Sequence, residues 1–252
     1  MTNPHLARPR SDQVKRPARY LLHPLRPLAR WIIRRRYDVQ LHRTELVPPS
    51  GAVIFASNHV GVVDGPLLAI FAPRPVHALT KVEMFRNWFM GPFLRQAGQI
   101  PLDRFRTDPA AVKMCLRVLR DGGTIGIYPE GSRGAGDLER FHRGAAYLAL
   151  VSGATVIPVT TLGSREPGGS SGSLPHRGAV IDLVFGEPYE IAAVPWPRTR
   201  EQVEKQSLLL REHMLVQLDQ ARALTGRELP GPLPAADVEP DPDTGVTDQG
   251  AP

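Results

Sequence analysis

The chain has 252 residues, with a hydrophobic fraction of 42% and a charged fraction of 22%, which are ordinary values for a globular protein. A chain of this length is sufficient for one large domain with a substantial core. The single cysteine excludes an internal disulfide and any metal site built from several cysteines. Since no apolar run reaches about 18 residues, no membrane-spanning helix is expected.

Residues 1–37 form a basic segment in which apolar and aromatic residues lie between the charges. Residues 1–43 contain eleven Arg or Lys residues and only two acids. This mixture is typical of a segment that lies on an anionic membrane surface, and a solvated arm or a nucleic-acid contact is the alternative. We favour the membrane surface and expect no nucleic-acid partner. Because Pro24 and Pro27 disfavour one continuous helix, a helix is predicted to begin near Leu28.

Residues 38–226 alternate between strand patterns and helix patterns. The predicted strands are residues 52–57, 76–80, 124–128, 155–160 and 180–185. The predicted helices are residues 66–71, 84–97, 110–120, 144–152 and 200–224. This alternation predicts an α/β fold, a single domain with a central, mostly parallel sheet flanked by helices. Residues 227–252 are acidic and rich in proline, and they are predicted to form a disordered tail.

A histidine and an aspartate follow the first predicted strand, at His59 and Asp64. An aspartate can fix the tautomer of an imidazole, so that the free ring nitrogen takes a proton from a hydroxyl group. In a regular helix, residues five apart point about 140° away from each other. A working pair therefore requires a turn between strand and helix, which Gly61 permits. A histidine used as a cap or core partner is the alternative.

Two further motifs place polar groups after apolar segments. Arg104 follows the segment 98–103, where its planar guanidinium can bind a phosphate. The turn after the strand at 124–128 contains Glu130, Gly131, Ser132 and Arg133, a set that can hold a polyol phosphate. A solvated loop and a plain turn are the respective alternatives. Residues 156–159 are apolar and are interpreted as a core strand or as the wall of an acyl channel.

Together and in this order, these motifs resemble the glycerophospholipid acyltransferase family, which includes the 1-acyl-glycerol-3-phosphate acyltransferases. The first block of the family is matched by Asn58-His59-x4-Asp64, and the second by Gly98-x-Ile100-Pro101-x-Asp103-Arg104. Tyr128-Pro129-Glu130-Gly131-Ser132-Arg133 matches the third block, and residues 156–159 match the fourth. The segment around Lys81 also looks like the family. The resemblance covers about residues 35–190.

The resemblance implies an enzyme that moves a fatty acyl group from acyl-CoA or acyl carrier protein to the free hydroxyl of 1-acyl-glycerol-3-phosphate. In this family pattern, His59 would be the general base and Asp64 would orient it. The acceptor phosphate would be held by Arg104 and Arg133, with Glu130, Gly131, Ser132 and Lys81 completing its pocket. The implied protein needs no cofactor and no metal, and it binds peripherally to the cytoplasmic face of a membrane.

Two alternatives to this function stay open, and two local features qualify it. The same chemistry could act on glycerol 3-phosphate, another lysolipid or a glycolipid, or the chain could be a non-catalytic binder of membrane surfaces.

The interval 60–63 between the histidine and the aspartate is wholly apolar, unlike the interval of many family members, and acceptor choice is expected to depend on it. Residues 168–172 match the serine-hydrolase motif G-x-S-x-G, but they lie in a Gly/Ser-rich loop and not between a strand and a helix.

Overall fold

The protein is built around a seven-stranded sheet. The computed structural model describes residue 11 and residues 13–240. The strands are β1 (Asp38–His42), β2 (Val53–Ser57), β3 (Val76–Lys81), β4 (Ile100–Leu102), β5 (Thr124–Ile127), β6 (Thr155–Leu162) and β7 (Val180–Phe185). The helices are α1 (Leu25–Arg34), α2 (Asp64–Phe71), α3 (Met90–Gln96), α4 (Pro109–Arg120), α5 (Gly144–Ser152) and α6 (Arg200–Thr225).

The strand order is β1-β7-β6-β2-β5-β3-β4. Strands β2 to β6 run parallel to one another, whereas β1 and β7 form a parallel pair that joins β6 in the antiparallel direction. The predicted α/β fold with a mostly parallel sheet is therefore confirmed. Because parallel strands end at the same edge of a sheet, β2 to β6 bring five carboxyl ends together.

The sequence analysis missed two strands, β1 and β4. Strand β1 carries Asp38, Gln40 and His42, and its only buried residue is Val39. Strand β4 has three residues, of which Pro101 lacks a backbone donor. Both elements form because they pair with a neighbour, β1 with β7 and β4 with β3. Local β propensity alone does not indicate either of them.

Helices α4 and α6 each begin with a capping side chain. The Asp108 side chain accepts a hydrogen bond from the backbone of Ala111 at 2.9 Å, at the start of α4. Thr199 and Gln202 form a reciprocal capping box at the start of α6. Helix α6 ends at Gly226, which adopts a left-handed conformation with φ of 66°. These polar signals explain why the predicted bounds of α4 and α6 agree with the structure to within one residue.

The helix predicted for residues 84–97 is interrupted. A 3-10 turn covers Val82–Phe85, and α3 begins only at Met90. Between them, the side chain of Asn87 accepts hydrogen bonds from the backbone of Phe89 and of Met90, each at 3.0 Å. An asparagine side chain that accepts hydrogen bonds from the backbone of the next residues favours a local turn over a continuous helix. The single long helix was therefore a wrong prediction.

Helix α1 begins at Leu25, earlier than the predicted start near Leu28. Pro27 is tolerated because it lies in the first turn, where backbone N–H groups have no acceptor within the helix. The guanidinium of Arg26 donates to the carbonyl of Ile70 at 3.1 Å, and that of Arg30 donates to the same carbonyl at 2.8 Å. These bonds attach α1 to the end of α2.

The core consists of two apolar clusters on opposite faces of the sheet. Strand β2 shows the arrangement, since Ile54 and Ala56 belong to one cluster and Val53 and Phe55 to the other. Alternate residues of a strand point to opposite faces, so a strand covered on both sides is apolar throughout. Within the described residues, no helix combines the length and the apolar character that crossing a bilayer requires.

The acidic tail differs from its prediction as far as it is described. Residues 227–240, predicted to be part of a disordered segment, lie against the domain. Arg227 forms an ion pair with Asp182 at 2.7 Å, and the carbonyl of Gly231 accepts a hydrogen bond from Arg165 at 2.6 Å. Ion pairs and hydrogen bonds to backbone carbonyls hold this segment, which has no apolar periodicity. Its composition therefore did not predict an ordered segment. Residues 1–10 and 12 of the basic segment, and residues 241–252 of the tail, lie outside the described residues.

Candidate active site

The predicted site residues come from strand ends at one edge of the sheet. His59 follows β2, Lys81 ends β3, Arg104 follows β4, and the turn containing Arg133 follows β5. These four strands are parallel, so their carboxyl ends open on the same side. Crevices at this edge are the usual ligand sites of open α/β sheets. The topology thus accounts for how residues about 75 positions apart in sequence share one site.

His59 and Asp64 are in direct contact. The imidazole Nδ1 lies 2.9 Å from Asp64 Oδ2, with the His59 side chain 18% exposed and the Asp64 side chain fully buried. The chain turns between β2 and α2, as the pairing requires, and the backbone N–H groups of Val60 and Gly61 also donate to Asp64 Oδ2 at 2.7 and 2.9 Å. With Nδ1–H donating to the carboxylate, the lone pair of Nε2 is available to a proton donor.

Two residues outside the predicted set complete the surroundings of this pair. The Ser164 hydroxyl lies 2.5 Å from Asp64 Oδ1. The ring of Tyr128 stacks on the imidazole of His59, with 4.2 Å between ring centroids and 27° between planes. Burial, followed by the charge of Asp64, raises the pKa of Tyr128 well above its ordinary value. The phenol therefore stays neutral and restricts the tilt of the histidine ring.

Glu130 lies behind the histidine and does not line the groove into which His59 opens. It is 4% exposed, and its Oε1 accepts the backbone N–H of His59 at 2.7 Å. Burial raises the pKa of Glu130 from 4.5 to about 8, although the backbone donor from His59 acts in the opposite direction. This position differs from the predicted place of Glu130 in a phosphate pocket, because a buried carboxyl that holds the backbone of β2 does not reach a groove-bound ligand.

Three cations converge on one carboxylate near His59 and Asp64, the pair that we call the dyad. Lys81 Nζ binds Glu239, Arg104 Nη2 lies 3.0 Å from Glu239 Oε2, and Arg133 Nη2 lies 3.1 Å from Glu239 Oε1. Burial would raise the pKa of Glu239, but hydrogen bonds and charges from Lys81, Arg104 and Arg133 lower it to about 2. We call these three bases the cation cluster. The structure thus brings together three residues that the sequence analysis assigned to a phosphate pocket.

The turn after β5 shapes one wall of the cluster. Gly131 adopts φ of 71°, and a Cβ at this position would lie 2.6 Å from the Nε2 of His142, so only glycine fits. Its carbonyl accepts a hydrogen bond from Arg104 Nη1 at 2.6 Å. Ser132, also predicted as a binding residue, is 5% exposed in the same turn. Arg133 is fixed by a second bond, from its Nη1 to the carbonyl of Ser171 at 2.9 Å.

A groove with a volume of about 630 Å³ runs past His59 and two members of the cation cluster, while Arg133 is not among its lining residues. His59, Lys81 and Arg104 lie on its wall together with apolar side chains from β3, β4, β5, α4 and α5. The apolar lining includes Leu79, Leu102, Val112, Cys115, Ile127, Tyr147 and Leu148. This size is typical of sites for small molecules. The groove can therefore hold an apolar chain with its polar end beside His59.

The predicted acyl-channel role of residues 156–159 is not supported by this arrangement. That segment lies in β6, a buried strand between β2 and β7, and it is not among the residues that line the groove. The wall is supplied by α4 and α5 together with β3, β4 and β5. Cys115 is buried, and burial raises the pKa of its thiol to about 12. A thiol of this kind is not a nucleophile at neutral pH.

Two further sequence features are resolved by the structure. In the apolar interval, Val60 is fully buried, while Val62 is 38% exposed and is the one exposed residue of the four. Residues 168–172, the G-x-S-x-G match, form turns with no strand directly before them and no helix after them. They therefore lack the geometry of a hydrolase nucleophile.

Sequence reasoning missed Ser164, Tyr128 as a stacking partner, and Glu239. Ser164 follows β6 in the same way that His59 follows β2, so its position at a strand end was the available signal. Tyr128 is the first residue of the third motif, but its contact with His59 depends on the pairing of β2 with β5, which the sequence alone does not show. Glu239 gave no local signal, because its partners lie more than 100 residues away.

Comparisons with known proteins agree with the motifs. A family model described as Acyltransferase matches residues 38–161. The 1-acyl-sn-glycerol-3-phosphate acyltransferase of Bacillus subtilis is 30% identical over 158 residues, which cover 62% of this chain and 76% of that protein. The protein of the same description from Borreliella burgdorferi is 35% identical over 121 residues, which cover 46% of this chain and 48% of that protein. The matched part is thus most of the first relative and about half of the second.

A solved structure supports the fold. The crystal structure of the 1-acyl-sn-glycerophosphate (LPA) acyltransferase from Thermotoga maritima superposes with a TM-score of 0.60 and 20% sequence identity. The superposition covers 82% of this chain and 81% of that chain. At this level of identity, the likeness demonstrates a shared fold across nearly the whole described domain.

Proposed function

This chain belongs to the glycerophospholipid acyltransferase family, and on that premise we propose that it acylates the free hydroxyl of 1-acyl-glycerol-3-phosphate (lysophosphatidate). The acyl donor in this proposal is a thioester of coenzyme A or of acyl carrier protein. The observation that carries it is the contact of 2.9 Å between His59 Nδ1 and Asp64 Oδ2, in a groove that also contains Lys81 and Arg104. A base, an anion site and an apolar cleft are the three elements that this reaction needs.

In the proposed mechanism, His59 Nε2 removes the proton of the acceptor hydroxyl. The hydroxyl oxygen attacks the thioester carbonyl carbon, and collapse of the tetrahedral intermediate breaks the C–S bond. The imidazolium then returns the proton to the departing sulfur, so no acyl-enzyme forms. Asp64 stabilises the imidazolium and keeps Nδ1 as the protonated nitrogen. General base catalysis by a positioned histidine accounts for about 10²- to 10⁴-fold of rate.

The cation cluster would bind the acceptor phosphate. Arginine presents paired N–H donors that match phosphate oxygens, and lysine adds a mobile charge. Arg104 and Arg133 are each fixed by a backbone carbonyl, through Gly131 and Ser171, so the guanidinium groups that would bind phosphate are already oriented. An anion is the natural occupant, because three cations around one position repel each other unless a negative charge neutralises them.

The apolar cleft would hold a fatty acyl chain. Its lining includes Val112 and Cys115 of α4 and Tyr147 and Leu148 of α5. Burying a methylene group in such a cleft contributes about 0.8 kcal/mol, so a chain of ordinary length supplies ample binding energy. His59 lies on the wall of the same groove, which puts the base within reach of the polar end of the chain.

We also propose that the protein docks peripherally on the cytoplasmic face of an anionic membrane. Helix α1 exposes Leu28, Trp31 and Ile32, and the guanidinium of Arg35 stacks on the Trp31 ring at 4.0 Å. Aromatic and aliphatic groups beside arginines are suited to the interface of an anionic bilayer. Replacing Trp31 and Ile32 by serine should reduce co-sedimentation with anionic vesicles, and unchanged co-sedimentation would contradict docking through α1.

A panel of acceptors tests the proposed acceptor class. Thiol release from acyl-CoA is measured with lysophosphatidate, glycerol 3-phosphate and 1-monoacylglycerol, which keeps the free hydroxyl of lysophosphatidate and has a second hydroxyl in place of the phosphate. The highest kcat/KM is expected with lysophosphatidate. Equal activity with monoacylglycerol would remove the role of the cluster in acceptor choice. The same panel with Val62→Ser checks whether the exposed position of the apolar interval changes the ranking.

A further inference from the structure

Ser164 is attached to the catalytic aspartate through a contact that spans 100 positions of sequence. Its hydroxyl lies 2.5 Å from Asp64 Oδ1, and both residues are fully buried. The other carboxylate oxygen, Oδ2, accepts the hydrogen bonds from His59 and from the backbone of Val60 and Gly61. Ser164 therefore donates to Oδ1, the carboxylate oxygen that accepts no hydrogen bond from His59, Val60 or Gly61.

The backbone around Ser164 is held tightly against the dyad turn. A Cβ on Gly61 would lie 2.7 Å from the carbonyl oxygen of Ser164, so the two segments are in direct backbone contact. The next residue, Arg165, donates to the carbonyl of Val60 at 2.7 Å and to that of Gly134 at 3.0 Å. The end of β6 thus fixes the turn from two sides.

We propose that Ser164 is a positioning residue for the acyl transfer described above. Its hydrogen bond holds the Asp64 carboxylate in the rotamer that directs Oδ2 to His59 Nδ1, and this keeps Nε2 pointed into the groove. A carboxylate with one oxygen unbound can rotate away from the imidazole, and small displacements of a catalytic group are costly in rate. Ser164 touches neither substrate, so its effect appears in kcat and not in KM.

The test compares two buried serines. Ser164→Ala should lower kcat with lysophosphatidate by about tenfold, as expected for loss of one hydrogen bond to a charged group, with KM for both substrates unchanged. Ser164→Thr, which keeps the hydroxyl, should recover most of the rate. The control is Ser207→Ala, because Ser207 is fully buried but donates only to the carbonyl of Val203 within α6. That variant should retain the wild-type kcat.

The outcomes separate this inference from the function on which it rests. A wild-type kcat in Ser164→Ala, or a loss of rate matched by Ser207→Ala, would overturn the positioning role while leaving the acyltransferase reaction intact. Absence of thiol release in the wild-type protein with every acceptor, from acyl-CoA and from acyl carrier protein alike, would instead contradict the proposed function. Thermal unfolding of the three variants shows whether a loss of rate follows from a loss of stability.

A second inference rests on a different observation, the path of the tail. After α6, Arg227 pairs with Asp182, Gly231 is bound by Arg165, and Glu239 reaches the cation cluster. The exposed fraction of the Glu239 side chain is only 23%. The carboxylate therefore occupies the donors of Lys81, Arg104 and Arg133 that the acceptor phosphate would need.

We infer that the tail is a built-in competitor for the acceptor, with the Glu239 carboxylate standing where the phosphate of lysophosphatidate would bind. This inference rests on the proposed function. A phosphate and a carboxylate cannot share the same guanidinium donors, so the acceptor binds only when the tail has left. If only a fraction of molecules is open, the apparent dissociation constant rises in inverse proportion to that fraction. The phosphate carries more charge than the carboxylate, which lets it displace the tail.

Glu239→Ala in the full chain tests the inference. Partly exposed ion pairs contribute modestly, so the KM for lysophosphatidate should fall about three- to tenfold, with little change in the KM for acyl-CoA. The KM for monoacylglycerol, which has no phosphate, should be unaffected. Glu228→Ala is the matched control, because Glu228 lies in the same tail and pairs with Arg222 at the surface.

Each result has a distinct meaning. An unchanged or raised KM for lysophosphatidate in Glu239→Ala would contradict competition by the tail. An equal decrease of this KM in Glu228→Ala would show that any loosening of the tail is sufficient. That result would contradict a specific role for Glu239. If the wild-type protein acylates monoacylglycerol as well as lysophosphatidate, the phosphate site itself fails, which is a failure of the proposed function.

Discussion

Two histidine–aspartate pairs in the described part of the chain invite comparison, because the histidine of one pair, His59, lines the groove and the histidine of the other, His42, does not. His59 and Asp64 lie 2.9 Å apart after β2, whereas His42 of β1 and Asp182 of β7 lie 2.7 Å apart. In the sheet order, His42 on β1 is three strand positions from β2, or about 14 Å at the usual spacing of strands, and Asp182 on β7 is two positions away. A short contact between histidine and aspartate therefore does not identify a catalytic base.

The partners of the two aspartates show what distinguishes the pairs. Asp64 is surrounded by the imidazole, two backbone N–H groups and the Ser164 hydroxyl, all of which orient it toward His59. Asp182 binds His42 and also the guanidinium of Arg227. The first arrangement directs one imidazole into a groove, and the second fastens the tail to the edge of the sheet. A catalytic role follows from where the free ring nitrogen points.

The largest contrast is expected from the matched variants Asp64→Asn and Asp182→Asn. Asp64→Asn should lower kcat about a thousandfold or more, because an amide no longer stabilises the imidazolium or selects its tautomer. Asp182→Asn should retain activity and lower the free energy of unfolding by about 1–3 kcal/mol. Kinetics and denaturant unfolding on both variants check this. Comparable losses of activity would mean that the two pairs are not functionally different.

A smaller effect is expected from Arg133→Gln, which changes the cluster beside the catalytic pair. The KM for lysophosphatidate should rise about tenfold, because a charge-assisted contact to phosphate is lost. The kcat should change little, since the dyad is untouched. Arg200→Gln is the control, because Arg200 pairs with Glu204 on the exposed side of α6. A rise in KM for monoacylglycerol of the same size would indicate general damage and not loss of a phosphate contact.

The smallest effect on activity is expected from Glu130→Gln, which keeps the acceptor for the His59 backbone. Burial raises the pKa of Glu130 from 4.5 to about 8, so the folded state favours its protonated form. That contribution to stability is complete below pH 4.5 and is lost as the pH rises through about 8. The free energy of unfolding of the wild type should therefore fall over this range relative to the variant, and parallel pH curves would contradict a buried, protonated Glu130.

The contrast between the pairs also explains what sequence could predict. The His59 pair was predictable because both residues lie in one turn after a strongly apolar strand. The His42 pair was not, since it joins β1 to β7, and β1 has too few apolar residues to indicate a strand. The same limit applies to Ser164 and Glu239, whose partners are fixed by parallel strand order and by the path of the tail. The local sequence pattern predicts individual helices and strands. Which strand ends lie next to each other depends on the order of the strands in the sheet.

The helices also differ in how closely their bounds were predicted, and the reason is similar. Helices α4 and α6 carry caps that are visible as Asp108 and Thr199 in sequence, and their bounds were predicted closely. The break before α3 depends on how Asn87 is oriented, and the start of α1 depends on a proline that only the first turn accepts. Both helix bounds are set by hydrogen bonding of the backbone, which the amino-acid composition does not reveal.

The most direct test of the central claim is thiol release from acyl-CoA with lysophosphatidate in His59→Ala and His42→Ala. If His59 is the general base, His59→Ala should lose about a hundredfold or more of kcat and still bind lysophosphatidate, while His42→Ala remains active. Calorimetric titration of lysophosphatidate into each protein measures the binding. Wild-type kcat in His59→Ala, or an equal loss in His42→Ala, would contradict the account.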